Sequence, residues 1–145
     1  MRTLLALALA LGLTVTADAQ PLRSAAPQHT IEAPGSASVQ AGGPDRNAVP
    51  GSGCSGFIAN GSPTASVTVS GDGPLSIFAV SDTDTTLLVS DPSGRWHCSD
   101  DANGSDPAVT FARAAEGRYT VWVGTFSPDG RAPARLSAVR GQPNW

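Results

Sequence analysis

The sequence predicts an all-β protein: an antiparallel two-sheet β-sandwich, jelly-roll-like, of about 8–10 short strands and held by one disulfide. Three observations carry this. Between residues 82 and 126, β-branched and aromatic runs are broken about every eight to twelve residues by Pro, Gly, Asn and Asp, the rhythm of strands joined by tight turns. After residue 19 no stretch keeps apolar residues at i, i+3, i+4 and i+7, so no amphipathic helix is expected. The two cysteines, Cys54 and Cys98, stand in a chain that opens with an export signal, where a disulfide is the economical reading of an isolated pair.

Residues 1–19 read as a cleavable signal peptide. Arg2 supplies a positive start, residues 4–15 are almost wholly apolar, and Ala17 and Ala19 put small residues where a signal peptidase reads them, leaving Gln20 at the mature N-terminus. About twelve apolar residues are too few to span a bilayer core of roughly 30 Å. No Cys follows the apolar run closely, which argues against lipid anchoring. The mature chain is therefore expected to be secreted, to periplasm or medium, without a membrane attachment. Residues 20–29 should form a flexible leader, residues 30–140 the sandwich domain, and residues 141–145 a frayed tail.

Lys is absent, so all nine basic residues are Arg, and the formal net charge is −3. With no basic run, the composition argues against nucleic acid and anionic membranes as partners.

The strands follow in order. His29, Ile31 and Ala33 alternate with polar residues, as does the stretch around Val39, and Gly42, Gly43 and Pro44 end this region; it reads as an edge strand. Ala65, Val67 and Val69 alternate with Ser66, Thr68 and Ser70, giving one inward and one wet face. Asp72-Gly73 supplies a hairpin turn. The next strand puts Leu75, Ile77 and Ala79 on one face and Phe78 and Val80 on the other. Leu87 and Val89 share a face within residues 85–90, and Asp91-Pro92-Ser93-Gly94 suits a type I turn. In the strand 95–99, Trp96 and Cys98 share a face, which is expected to point inward around the bridge, while His97 points the other way. Val109 and Phe111 form the inner face of another strand. Residues 118–126 carry Tyr119, Val121 and Val123 on one side and Trp122 and Phe126 on the other, as a central strand covered on both faces would. Pro128-Asp129-Gly130 turns the chain, and residues 134–139 close the sheet.

No catalytic set is evident. A nucleophilic triad needs a His placed between a nucleophile and an orienting acid. Only His29 and His97 are available, and neither accompanies a G-x-S-x-G elbow. The aspartates lie in small-residue turns without the apolar surround that would raise one carboxyl for acid catalysis. They are nevertheless clustered. Asp82, Asp84, Asp91, Asp100, Asp101 and Asp106 face a single neighbouring Arg95. Asp91 opens a turn and Asp106 precedes Pro107, which leaves Asp82, Asp84, Asp100 and Asp101 as candidate Ca²⁺ ligands if their loops meet at one end of the sandwich. The spacing is not an EF-hand, because Gly104 follows Asp101 too soon. Asx-turns on a solvated acidic surface are the competing reading. Asn60 and Asn103 open Asn-Gly-Ser sequons, which otherwise serve as turn signals.

Four segments carry a family resemblance: Asp84-Thr85-Thr86-Leu87-Leu88-Val89 with Asp91-Pro92-Ser93-Gly94, then Cys98-Ser99-Asp100-Asp101, then Gly117-Arg118-Tyr119-Thr120-Val121-Trp122-Val123-Gly124. Taken in this order they resemble the bacterial pre-peptidase C-terminal domain, in a stand-alone secreted variety with a Cys ahead of a Gly-aromatic-Ile step, here Cys54-Ser55-Gly56-Phe57-Ile58. The resemblance spans residues 31–139. It implies a β-sandwich that elsewhere accompanies secreted proteases, with some relatives binding Ca²⁺ or matrix polymers. No peptidase domain is attached in this sequence. The expected function is thus a non-catalytic secreted binding or accessory module, with an envelope or extracellular protein or polysaccharide as partner and Ca²⁺ as a candidate stabiliser. A carboxylate-dependent secreted hydrolase and an envelope structural protein without a small ligand are the alternatives.

Overall fold

The computed structural model describes residues 25–47, 55–128 and 130–145. The signal segment, most of the leader, Cys54 and Asp129 lie outside the described residues. Within them the chain forms strands β1 (His29–Ala33), β2 (Gly35–Ala41), β3 (Asp45–Arg46), β4 (Phe57–Ile58), β5 (Ala65–Val69), β6 (Gly73–Val80), β7 (Thr85–Ser90), β8 (Trp96–Ser99), β9 (Ala108–Ala114), β10 (Gly117–Thr125) and β11 (Ala132–Val139). No helix appears among the described residues.

These strands make a seven-stranded and a four-stranded sheet. In the larger, β10 is the hub: β5 and β4 flank it on one side and β7 on the other, with β1 beyond β5, β3 beyond β4 and β8 beyond β7. The smaller runs β2-β11-β6-β9. All pairs are antiparallel except β1 with β5. The backbone N–H groups of Ala25, Gln28 and His29 donate to the carbonyls of Gly61, Pro63 and Thr64, so residues 25–29 enter beside 61–64 and the two strands start from the same end. After β1 the chain crosses at Pro34, through a cis Ala33–Pro34 bond, to become the edge strand of the other sheet.

Period-two alternation fills the space between the sheets. Val67, Val69, Tyr119, Val121, Val123, Leu87 and Val89 from one sheet meet Leu75, Ile77, Ala79, Val109 and Leu136 from the other in one core cluster. Fully burying a Val or Leu contributes roughly 1.5–3 kcal/mol, so this layer supplies the main driving force. Tyr119 reaches through it to donate its hydroxyl to the Ala115 carbonyl at 2.9 Å. On the opposite face of the larger sheet, Ile58, Leu88 and Trp122 form a second, smaller cluster with Cys98 packed against it.

Three expectations are corrected. The strand count exceeds ten because β3 and β4, two residues each, are too short to show any period. Ser66, expected on the wet face of β5, is buried, since the segments 25–27 and 60–63 lie along that face. In β8 the faces are exchanged. The β7–β8 register pairs Val89 with His97 and Ser90 with Trp96, so His97 turns inward onto Phe111, at 4.8 Å between ring centroids, and Trp96 stays on the outer face, 44% exposed. Cys98 shares that outer face with Trp96, and among the described residues no cysteine is a free thiol.

Candidate functional site

The acidic loops do meet. Thr85 N–H donates to the Ser105 carbonyl and Ser81 N–H to Asp106 Oδ1 at 3.0 Å, so the turn before β7 lies against the loop after β8. The Asp84 carboxyl is held above the usual carboxylate range, by burial against the loop and then by the charges of Asp101 and Asp100. Asp82 is exposed and is not among the groups acting on Asp84. Asp100 accepts a hydrogen bond from the Ser55 hydroxyl. Among the described residues no three His, Cys, Asp or Glu side chains converge tightly enough to enclose a metal ion. Asp84, Asp100 and Asp101 are neighbours through their charges and do not form a preformed cage. A cation there would take most of its ligands from carbonyl groups and water.

Asp91 has a structural task. Its Oδ1 accepts from the backbone N–H of Ser93 and Arg95 and from the Ser93 hydroxyl, and its Oδ2 lies 2.9 Å from His97 Nε2 and 3.5 Å from Arg95 Nε. Burial by itself would raise this carboxyl; the hydrogen bonds from Ser93, His97 and Arg95 outweigh it and hold Asp91 far below the usual carboxylate range. The carboxylate stands between the Ser93 hydroxyl and the imidazole. His97 is therefore not placed to take a proton from that hydroxyl, as a triad requires.

A broad concavity lies elsewhere, on the outer face of the seven-stranded sheet. It is a groove of about 520 Å³ with Ala25, Pro27, Asn60 and Pro63 on one wall and Trp96 and Trp122 on the other. Strand registers set its floor. Ser66 of β5 is opposite Thr120 of β10, Thr120 is opposite Ser90 of β7, and Ser90 is opposite Trp96 of β8. One row across four adjacent strands therefore reads hydroxyl, hydroxyl, hydroxyl, indole. Trp96 and Trp122 lie 5.4 Å apart between centroids, tilted by 46°. Arg118, also lining the groove, is exposed and makes no ion pair among the described residues.

Two polar atoms of groove-lining side chains have no hydrogen-bond partner among the described residues: Ser66 Oγ and Trp122 Nε1. The residues are 3% and 8% exposed. An unsatisfied buried donor or acceptor costs roughly 1–3 kcal/mol, and two of them beside one groove mark a surface whose polar groups are incompletely used.

Sequence reasoning singled out the tryptophans as strand residues and did not single out Ser66, Ser90, Thr120 or Arg118. The available signal was their shared phase: each stands on the face opposite the apolar alternation of its strand. Which strands are neighbours is not written in that phase.

The class these features define is an all-β two-sheet sandwich with an open groove on one sheet face. More specifically, the fold is that of the pre-peptidase C-terminal domain of collagenase from Bacillus anthracis, whose crystal structure aligns with a TM-score of 0.53 over 77% of this chain and 95% of that one, at 15% sequence identity. At that identity the likeness speaks for the fold. No family model matches the sequence, and no curated protein matches it.

Proposed function

We propose that this chain is a non-catalytic, secreted accessory module that holds an extracellular partner in the groove between Trp96, Trp122 and the 25–27 segment. The carrying observation is the pair of unpartnered polar atoms, Ser66 Oγ and Trp122 Nε1, in residues that line the groove floor and wall. The fold likeness to a pre-peptidase C-terminal domain supports an accessory role. Export rests on the N-terminal segment and its peptidase-compatible Ala17 and Ala19, and no helix long and apolar enough to cross a membrane occurs among the described residues.

Two further features belong to this reading. Cys54 and Cys98 form a disulfide, a pairing supported by the hydrogen bond between Ser55, which follows Cys54 in sequence, and Asp100. Ca²⁺ associates with Asp84, Asp100 and Asp101 and relieves their mutual repulsion, as the raised Asp84 carboxyl suggests. A pull-down with the immobilised mature chain against envelope polysaccharide and secreted protein tests the module. Enrichment that disappears with Trp96→Ala supports it; equal recovery by both proteins removes the groove from consideration.

A further inference from the structure

Resting on the groove as the binding surface, we infer that its occupant is a carboxylate-bearing polysaccharide, such as a uronic acid chain, lying across the strands with one acidic group on Arg118. Four properties of the groove select this chemistry. The hydroxyls of Ser66, Thr120 and Ser90 recur across neighbouring strands, at an inter-strand spacing of about 4.8 Å, close to the length of one pyranose unit. An extended peptide advances about 3.4 Å per residue and alternates its side chains, so it falls out of step with that row.

The row ends on Trp96, whose exposed ring offers a flat apolar face to the C–H face of a sugar, while Trp122 packs behind it. The unused Trp122 Nε1–H is a donor and the unused Ser66 Oγ can donate or accept, and sugar hydroxyls complement both.

Charge then separates acidic from neutral glycans. Among the described residues Arg118 is the only charged side chain lining the groove, and its guanidinium has no ion-pair partner there. Glu32 stands in the same cross-strand row, beyond Thr68 on β1, and makes no ion pair with it. A planar guanidinium on an open surface matches a carboxylate by two parallel hydrogen bonds.

The test compares oligogalacturonate with its methyl ester, which keeps the sugar and removes the charge, and with poly-glutamate, which keeps the charge and removes the sugar. Calorimetric titration of the mature chain should show oligogalacturonate binding at least tenfold tighter than either. Arg118→Gln should erase the preference for the free acid, with melting temperature unchanged because the side chain is exposed. Equal binding of acid and ester overturns the charge assignment while leaving a glycan groove. Binding of poly-glutamate in preference to oligogalacturonate overturns the glycan assignment while leaving the groove as a docking surface. Should none of the probes bind while Trp96→Ala still abolishes the pull-down, this inference fails and the broader module reading stands.

Discussion

The Ser55 hydroxyl donates to Oδ2 of Asp100 at 2.9 Å, joining residues 45 positions apart in sequence. Each sits next to or near a cysteine: Ser55 follows Cys54, and Asp100 lies just beyond Cys98. Intact-mass measurement should therefore find the mature chain lighter by two hydrogens than the fully reduced form. Adding reductant, or Cys98→Ser, should lower stability by about 2–4 kcal/mol through the freed loop of the unfolded chain. An unchanged melting curve under reductant would sink the pairing.

Gly56, in the same segment, has φ +95 and a backbone so close to β7 that a Cβ would lie 2.4 Å from Thr86 Oγ1. Thr86 is itself buried, so it has little room to yield. Gly56→Ala should cost about 1–3 kcal/mol from the left-handed backbone together with the clash. A chemical denaturation midpoint equal to that of the parent protein would contradict this.

Asp91 should set the acid limb of stability. Its folded pKa is depressed below the unfolded value of about 3.9, so its contribution is complete above about pH 4 and is lost as pH falls toward the folded pKa. Asp91→Asn is expected to lose about 1.5–3 kcal/mol at neutral pH, the scale of hydrogen bonds to a charged group. It should also flatten the fall in stability below pH 4. Parallel acid limbs for parent and variant would show that other carboxylates govern it.

Asp84 has the opposite sign. A raised folded pKa means that the ionised form is disfavoured in the folded chain, so the penalty is present above the folded pKa and disappears as pH falls through the unfolded value. Millimolar Ca²⁺ should raise the melting temperature at pH 7, and Asp84→Asn should raise it without Ca²⁺ while diminishing the Ca²⁺ response. No shift in the parent protein at millimolar Ca²⁺ ends the cation proposal.

Trp96→Ala should abolish partner capture with little change in stability, since the ring is exposed and its aromatic contact is with Trp122. The loss of one aromatic pair is about 0.5–1.5 kcal/mol. Tryptophan emission should shift on ligand binding in the parent protein and remain fixed in the variant.

How much of this the sequence could disclose depends on the kind of information. Val67, Ile77, Leu87 and Val121 announced their strands because each alternates with a polar neighbour, and the β7–β8 turn was written in Asp91, Pro92 and Gly94. The face of β8 runs against the expectation of an inward bridge, which places Cys98 and its face-mate Trp96 toward the core. The register instead gives the interior to His97, whose ring is anchored by Asp91 and packed on Phe111. The floor of the groove was illegible for another reason. Ser66, Ser90 and Thr120 are ordinary strand residues far apart in sequence, and only the order β5-β10-β7 makes them a row. The acidic loops were legible as a cluster, yet which carboxylates lie close enough to interact is set by the fold, which brings Asp84 near Asp100 and Asp101.

Ala25 and Pro27 form part of the groove wall, whereas the Trp145 ring rests edge-on against Phe78, on the outer face of the opposite sheet, at 5.1 Å. Purification tags and surface tethers are therefore not interchangeable at the two termini. A fusion joined directly to residue 25 begins at the groove wall and would crowd it, while coupling through the C-terminus places the support against the face of the other sheet.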